Sequence, residues 1–454
     1  MAWFIRTFSF VCIFLLAPHA NALINIEITQ GNEGALPIAV LPFSTSSEGG
    51  SFDDVSEIIR ADLNLSGHFS PLEKAELPFG EMGSWIHDLD MNQWRHVGVE
   101  YVLLGEMRPN NNGSFDVHVK LLDIYRNRVK SERPTDVKLS SNVYDHLLFD
   151  KRYEGIKLEQ TRDFAHHLSD LVFKSITDLP GHFSTRIAYV QVDHNNESFP
   201  FTLQIADMDG ARPQTIVRST EPLMSPSWSK DGRHIAYVSF ENFRSEIYLL
   251  EVATGERTLL SHFPKINGAP AFSPDGKSLA VVLSKDGSPK IYLLDIKTKA
   301  LRQLTWGYSI DTEPSWAPDG KSFVFTSNRG GNVQLYRYWM ETGEAERVTF
   351  EGKFNAKASF TPDGEQLVLI HKPEDGTYRV AMYHLNKKTW RYLSRDTTAD
   401  ESPSISPNGQ MILYATKYKN QGILAAVSVD GRMQLHLPAR EGSVQEPAWS
   451  PFLS

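Results

Sequence analysis

The chain has 454 residues, 41% of them hydrophobic, which exceeds what one hydrophobic core usually serves and points to at least two domains. Acids outnumber bases, 55 to 46, for a formal charge of −9, and the basic residues are dispersed, which argues against nucleic acid as a partner. The one cysteine, Cys12, excludes disulfides and leaves no thiolate nucleophile or ligand beyond the first stretch of the chain.

That first stretch, Met1 to Ala22, reads as a cleaved secretory signal. Arg6 supplies a positive start, Phe8 to Ala17 an apolar run, and Ala20-Asn21-Ala22 a small-x-small cleavage site marked by Ala20 and Ala22. The run is too short for a bilayer, which takes about twenty apolar residues. No later segment has that length and apolarity, so the mature chain is expected to be exported and not membrane-spanning. Residues 23–36 open with alternation at Leu23, Ile24, Asn25, Ile26, Glu27 and Ile28, then loosen around Gly31 and Gly34. They read as a mobile N-terminal segment that binds a partner by adding to a sheet edge, with an edge strand as the alternative.

Residues 37–180 predict an α/β domain. Pro37-Ile38-Ala39-Val40-Leu41-Pro42-Phe43 is a short continuous apolar run, the pattern of a strand buried on both faces. Asp53 or Asp54 then caps a helix with apolar spacing at Val55, Ile58, Ile59, Leu63 and Leu65, ended by Gly67. A strand at Phe69–Leu72, a helix at Met91–Val97, strands at Tyr101–Met107 and Phe115–Ile124 and a helix over Thr161–Asp178 complete it, and Pro180-Gly181 stops the last helix. His166 and His167 project about 100° apart on that helix, so they cannot share one ion by themselves. One buried and one exposed is the plainer expectation.

From Ser184 to Ser454 the chain repeats. Ser273-Pro274-Asp275-Gly276 returns as Ala317-Pro318-Asp319-Gly320, Thr361-Pro362-Asp363-Gly364 and Ser406-Pro407-Asn408-Gly409, so the prolines stand 44, 44 and 45 residues apart. Ser229-Lys230-Asp231-Gly232 keeps the register one period earlier. Units of this length with four strand-like runs are propeller blades. In the turn, Pro presets φ, Asp bonds back to the backbone and Gly takes the positive-φ corner, so its aspartate is structural. Inner strands at Trp228, Phe272, Trp316, Phe360, Ile405 and Trp449 count six blades. The last lacks three strands, which Arg186–Val190, Phe201–Ala206 and Gln214–Val217 supply from the other end of the region. The fold class is therefore an α/β N-terminal domain plus an all-β six-bladed β-propeller over 184–454, closed by strands from both ends.

Catalytic signatures are lacking: no Gly-x-Ser-x-Gly elbow, no His-Glu-x-x-His, no P-loop. The propeller's histidines fall at different phases of the repeat, so no catalytic residue, cofactor or metal site is assigned. What converges in a propeller is the set of loops leading into the inner strands. There the repeat relaxes, at Ser225, Ala269, Glu313, Lys357, Ser402 and Glu446, one step earlier at Met224, Gly268, Thr312, Ala356, Glu401 and Gln445, and a further step earlier at Asn267 and Asp311. Varied polar residues on a rigid template suit a binding face. A secreted propeller hydrolase or lyase with its site at the channel mouth is the alternative.

The signal, the α/β domain opening at Pro37–Phe43, the Ser-Pro-Asp-Gly repeats, Asn267-Gly268-Ala269-Pro270, Thr312-Glu313-Pro314-Ser315-Trp316 and the closing Glu446-Pro447-Ala448-Trp449 together resemble the TolB family, periplasmic components of the Tol-Pal system of Gram-negative bacteria. The resemblance implies a non-enzymatic protein whose propeller face binds the lipoprotein Pal and whose N-terminal segment, Leu23 to Ile28 foremost, reaches TolA, with other envelope proteins as further partners. It nominates Asn267, Ala269, Thr312 and Glu313 for Pal contact, and the repeat phase adds Gly268, Glu401 and Glu446. The family often has a histidine just before Asn-Gly-Ala-Pro, where this chain has Ile266.

Overall fold

The computed structural model describes residues 27–30, 34–45, 54–78, 91–126, 143–374, 376–395, 397, 399–439 and 441–453. The predicted signal with Ala20 and Ala22, and Leu23 to Ile26, lie outside the described residues.

Strand β1 (Glu27–Gln30) precedes the α/β domain, whose sheet is built on β2 (Leu36–Val40). This strand pairs in parallel with β4 (Phe69–Pro71) and β5 (Tyr101–Pro109), the latter also meeting the short β3 (Ser44–Thr45). Antiparallel β6 (Ser114–Asp123) and β7 (Leu147–Lys157) extend the sheet. The unbroken apolar run of β2 has a direct cause. Ile38 and Val40 pack toward α1 (Val55–Leu65) and α3 (Thr161–Thr177), whereas Ala39 and Leu41 face Met91 and Trp94 of α2 (Met91–Val97). Asp54 caps α1 by accepting from the Ser56 N–H at 3.0 Å. The 11-residue β7 has no counterpart in the sequence reading, because it is largely exposed and its side chains show no alternation.

The propeller has six blades, numbered here by inner strands Leu223–Trp228, Asn267–Phe272, Asp311–Trp316, Phe354–Phe360, Glu401–Ile405 and Ser443–Trp449. Blade 6 is shared: Ser443–Trp449 pairs with β8 (Arg186–Val192), followed outward by β9 (Phe201–Asp207) and β10 (Gln214–Ser219). The turn aspartates do what their spacing implies. Asp275 accepts from the Ser273 hydroxyl at 2.6 Å and the Lys277 N–H at 3.1 Å, and Gly276 has φ +70°. Indole N–H groups tie blades together, Trp228 to the Ala448 carbonyl and Trp316 to that of Ala271.

Here β1 differs from the free segment expected over 23–36. Residues 27–30 pair antiparallel with Gln434–Leu437, the outer strand of blade 5, giving that blade a fifth strand. A strand edge with unpaired N–H and C=O groups lies within reach of a chain that rejoins the domain at Leu36, and pairing satisfies both.

The α/β domain docks where the inner strands end. Ile59 and Phe173 share one core with Ile187, Tyr189, Met411 and Leu435 of the propeller. The linker is fixed by Asp170 on α3, which accepts from the N–H groups of Phe183 and Ser184 at 2.7 and 3.1 Å. Gly181 passes so close that an added Cβ would stand 2.4 Å from the Asp170 Cα. Asn408, the one asparagine among the turn aspartates, donates to the Pro180 carbonyl at 2.9 Å and to His182 Nδ1 at 3.0 Å. Burial pushes His182 down to about 3, which keeps it a neutral acceptor.

Candidate functional site: the channel ring

Each inner strand breaks at the same place. Its pairing slips between Met224 and Ser227, Gly268 and Ala271, Thr312 and Ser315, Ala356 and Ser359, Glu401 and Ser404, and Gln445 and Ala448. Inside each bulge one non-glycine residue adopts left-handed backbone: Ser225, Ala269, Glu313, Lys357, Ser402 and Glu446, with φ between 43° and 53°. Such a conformation costs about 1–2 kcal/mol for an L-residue. Proline follows in every blade but the fourth, and because it has no N–H the bulge loses no ladder donor there. The result is a ring of six side chains lining a channel of about 800 Å³.

Ring side chains lean toward the next blade. Glu313 Oε2 accepts from the Lys357 N–H at 3.1 Å and the Thr326 hydroxyl at 2.7 Å. Lys357 Nζ donates to Ser402 Oγ at 2.8 Å and lies 3.6 Å from Glu446 Oε1. Ser402 Oγ donates to Glu446 Oε1 at 3.4 Å, and Glu446 Oε2 accepts from the Ser225 N–H at 3.2 Å. The chain of bonds thus runs from blade 3 through blades 4, 5 and 6 to blade 1. It is open around Ala269.

Ser402 and Lys357 form a serine–lysine pair, a nucleophile–base constellation when the lysine is neutral. Here burial pulls the ammonium down, but Glu446, Glu313 and Glu401 outweigh it and hold Lys357 above the ordinary lysine value. A lysine held protonated donates hydrogen bonds and does not abstract the serine proton.

The residues nominated from sequence separate into three groups. Ala269, Glu313 and Glu446 are ring members, and Gly268 and Thr312 line the channel beside them, half-buried. Glu401 is exposed and opens on a neighbouring cleft of about 320 Å³ with Phe354 and Tyr378. Asn267 is fully buried: its Oδ1 accepts from Ser261 Oγ at 2.6 Å and the Phe263 N–H at 2.9 Å, and its Nδ2 donates to the Phe263 carbonyl at 2.6 Å. The Asn267 side chain, nominated for contact, therefore faces its own loop and not the channel. Asp311, Asn355 and Asp400 are buried at the same phase of the repeat. Ile266, one residue earlier, is 47% exposed and lines the channel. Ser225, Lys357 and Ser402 complete the ring; their shared repeat phase was the signal for them. Of the N-terminal residues, Glu27 and Ile28 lie in β1.

One group among the described residues has the composition of a metal site, Asp62, His166 and Asp209, at the domain interface. It carries its own cations. His166 Nδ1 bonds Asp62 at 2.8 Å, and Arg162 reaches Asp207 at 3.0 Å and also pairs with Asp209. Arg212 holds Asp207 at 2.8 Å and also pairs with Asp163. Burial opposes charge on His166, but Asp62 and Asp207 prevail and raise it to about 10, an imidazolium at neutral pH. Of the two adjacent histidines, His166 is buried and His167 exposed, packing its ring edge on Tyr153.

Ring and fold together define a two-domain β-propeller protein whose α/β domain packs on blades 5 and 6, at the end opposite the ring. The TolB beta propeller domain family matches residues 173–453, and the TolB amino-terminal domain family matches residues 24–129. The Tol-Pal system protein TolB of Thioalkalivibrio sulfidiphilus is 53% identical over 448 residues, 98% of each chain. That of Acinetobacter baylyi is 51% identical over 432 residues, 95% of each. The crystal structure of TolB from Acinetobacter baumannii aligns with a TM-score of 0.83 at 37% identity, covering 94% of this chain and 100% of that one. The chain belongs to the TolB family of the Tol-Pal system.

Proposed function

We propose that the protein is a non-enzymatic periplasmic adaptor, exported by cleavage after Ala22, that binds Pal at the channel ring and TolA through its N-terminal segment, and so supports outer-membrane integrity and constriction at division. The observation that carries this reading is the ring itself: varied, strained, half-exposed polar groups on a rigid sixfold frame, facing an open channel. The protonated Lys357 beside Ser402 favours binding over nucleophilic chemistry. No helix among the described residues is long and apolar enough to cross a membrane.

Calorimetric titration of Pal into the protein tests the ring. Glu313→Lys removes the acceptor for the Lys357 N–H and places a second cation beside Lys357, so affinity should fall about tenfold or more. Equal affinity for wild type and variant would sink the assignment. Deleting residues 23–34 should abolish TolA binding and leave Pal binding intact. Because β1 is paired to blade 5, TolA capture through this backbone requires β1 to leave that edge. N-terminal sequencing of the exported protein should begin at Leu23.

A further inference from the structure

The ring shows what its own left-handed backbone recognises. In front of the Ser225 N–H stands the Glu446 carboxylate, and in front of the Lys357 N–H stands that of Glu313, each from the ring residue of the preceding blade. Two independent blades use the same solution, a carboxylate on the bulge N–H. The equivalent N–H groups of Ala269 and Glu313 share the bulge and the left-handed φ, at 43° and 53°. Their preceding ring residues are Ser225 and Ala269, whose side chains are too short to cap the next blade. Among the described residues, no side chain caps either N–H.

We propose that this open arc, from blade 1 to blade 3, is where the docking partner seats a carboxylate of an aspartate or glutamate side chain, on the N–H groups of Ala269 and Glu313. The proposal rests on the reading that the partner docks at this end. Charge supports it. The channel wall contributed by blades 1 and 2 carries no acid; its one cation, Lys230, stands at the far end of the inner strand, away from the ring. The acids elsewhere in the ring are engaged: Glu446 by Lys357, Glu313 by the Lys357 N–H and Thr326. An incoming carboxylate therefore meets donors in this arc, with the opposing acids already neutralised or capped. The strained bulge also fixes both N–H groups before binding, so little ordering is lost on capture. Ile266 and Gly268, bordering the arc, leave room for a side chain to enter.

The test fills the slot from within. Ser225→Gln and Ala269→Gln each supply a neutral acceptor long enough to cap the next blade, as Glu446 and Glu313 do. Titrated with Pal, both should lose about tenfold or more in affinity with unchanged circular dichroism, the loss expected when a charge-assisted hydrogen bond is pre-empted. Ser225→Leu, matched in size without an acceptor, should bind more tightly than Ser225→Gln. Wild-type affinity in both glutamine variants, or equal losses for leucine and glutamine, overturns the proposal. A second measurement is independent of Pal. In ¹⁵N spectra of the full chain, N-acetylglutamate amide should shift the Ala269 and Glu313 amides, N-acetylglutamine amide should shift them less, and each glutamine variant should lose the shift at the amide it caps, Ala269 in Ser225→Gln and Glu313 in Ala269→Gln. Absence of a selective shift overturns the arc assignment; failure of Pal to bind wild type, with the shifts present, overturns only the partner reading.

Discussion

The two ends of the propeller handle charge in opposite ways. At the docked end, Asp62, His166 and Asp207 are buried and Arg162 nearly so, and they pair with one another across the domain boundary. At the channel end, Glu313, Lys357 and Glu446 stay partly exposed, held by backbone N–H groups, by the Thr326 and Ser402 hydroxyls and by a single ion pair, Lys357 to Glu446. Both ends depart from the repeat, but the departures have different consequences. Asp207-Met208-Asp209 and Asn408 alter turns to make a permanent internal contact, whereas the ring residues alter bulges and leave donors free. A closed interface uses its irregularities up; an open one keeps some in reserve.

The largest test of this contrast is Asp207→Ala, which strips His166, Arg162 and Arg212 of a shared counter-charge inside the interface. Breaking a buried ion network from one side costs about 3–5 kcal/mol. Thermal unfolding should show it as a large drop in melting temperature, with Pal affinity at low temperature unchanged. If Pal affinity fell equally, the two ends would not be independent.

His166→Gln should act through pH. Because His166 is raised from 6.5 to about 10 in the folded chain, its contribution is complete below its unfolded value and is lost as pH rises through about 10. Wild type should therefore lose stability between neutral and alkaline pH, and the variant, less stable at pH 7, should lose less. Parallel pH profiles would remove the imidazolium from the interface. Asn408→Asp comes next. It restores the repeat but replaces a donor by a carboxylate facing the Pro180 carbonyl and a neutral His182, a cost of about 1–3 kcal/mol by chemical denaturation. At the channel end effects on stability should be small. Ala269→Gly relieves left-handed strain worth about 1–2 kcal/mol but adds about 0.5–1 kcal/mol of unfolded-state entropy, so unfolding should shift by no more than about 1.5 kcal/mol, toward greater stability.

Much of this architecture is legible in the sequence because repetition isolates it. The turn Ser273–Gly276 and its copies announce the blades, and the missing strands of blade 6 are found by matching runs at the other end. Exposed elements without a pattern escape. β7 pairs through its backbone and leaves its side chains mostly in water, so neither hydrophobic period nor turn chemistry marks it. Repeat phase also places the ring residues correctly but cannot tell which way a side chain turns. Asn267 and Ala269 are two positions apart, yet one is folded into its own loop and the other faces the channel, because Ala269 lies inside the bulge between Gly268 and Ala271, where the alternation of the strand is broken. The fifth strand of blade 5 escapes for another reason, since which edge a terminal strand joins is decided by the docked domain.

The shared blade also sets an order of events. Ser443–Trp449 follows every other strand in the chain, and the Arg186 N–H meets Ser450 Oγ across 264 positions of sequence. Made from the N-terminus onward, β8 to β10 have no inner strand to lean on until Ser443–Trp449 has been added. Ring closure and docking of the α/β domain onto blade 6 therefore belong to the last step of folding, and a finished channel exists only once Ser443–Trp449 has paired with β8.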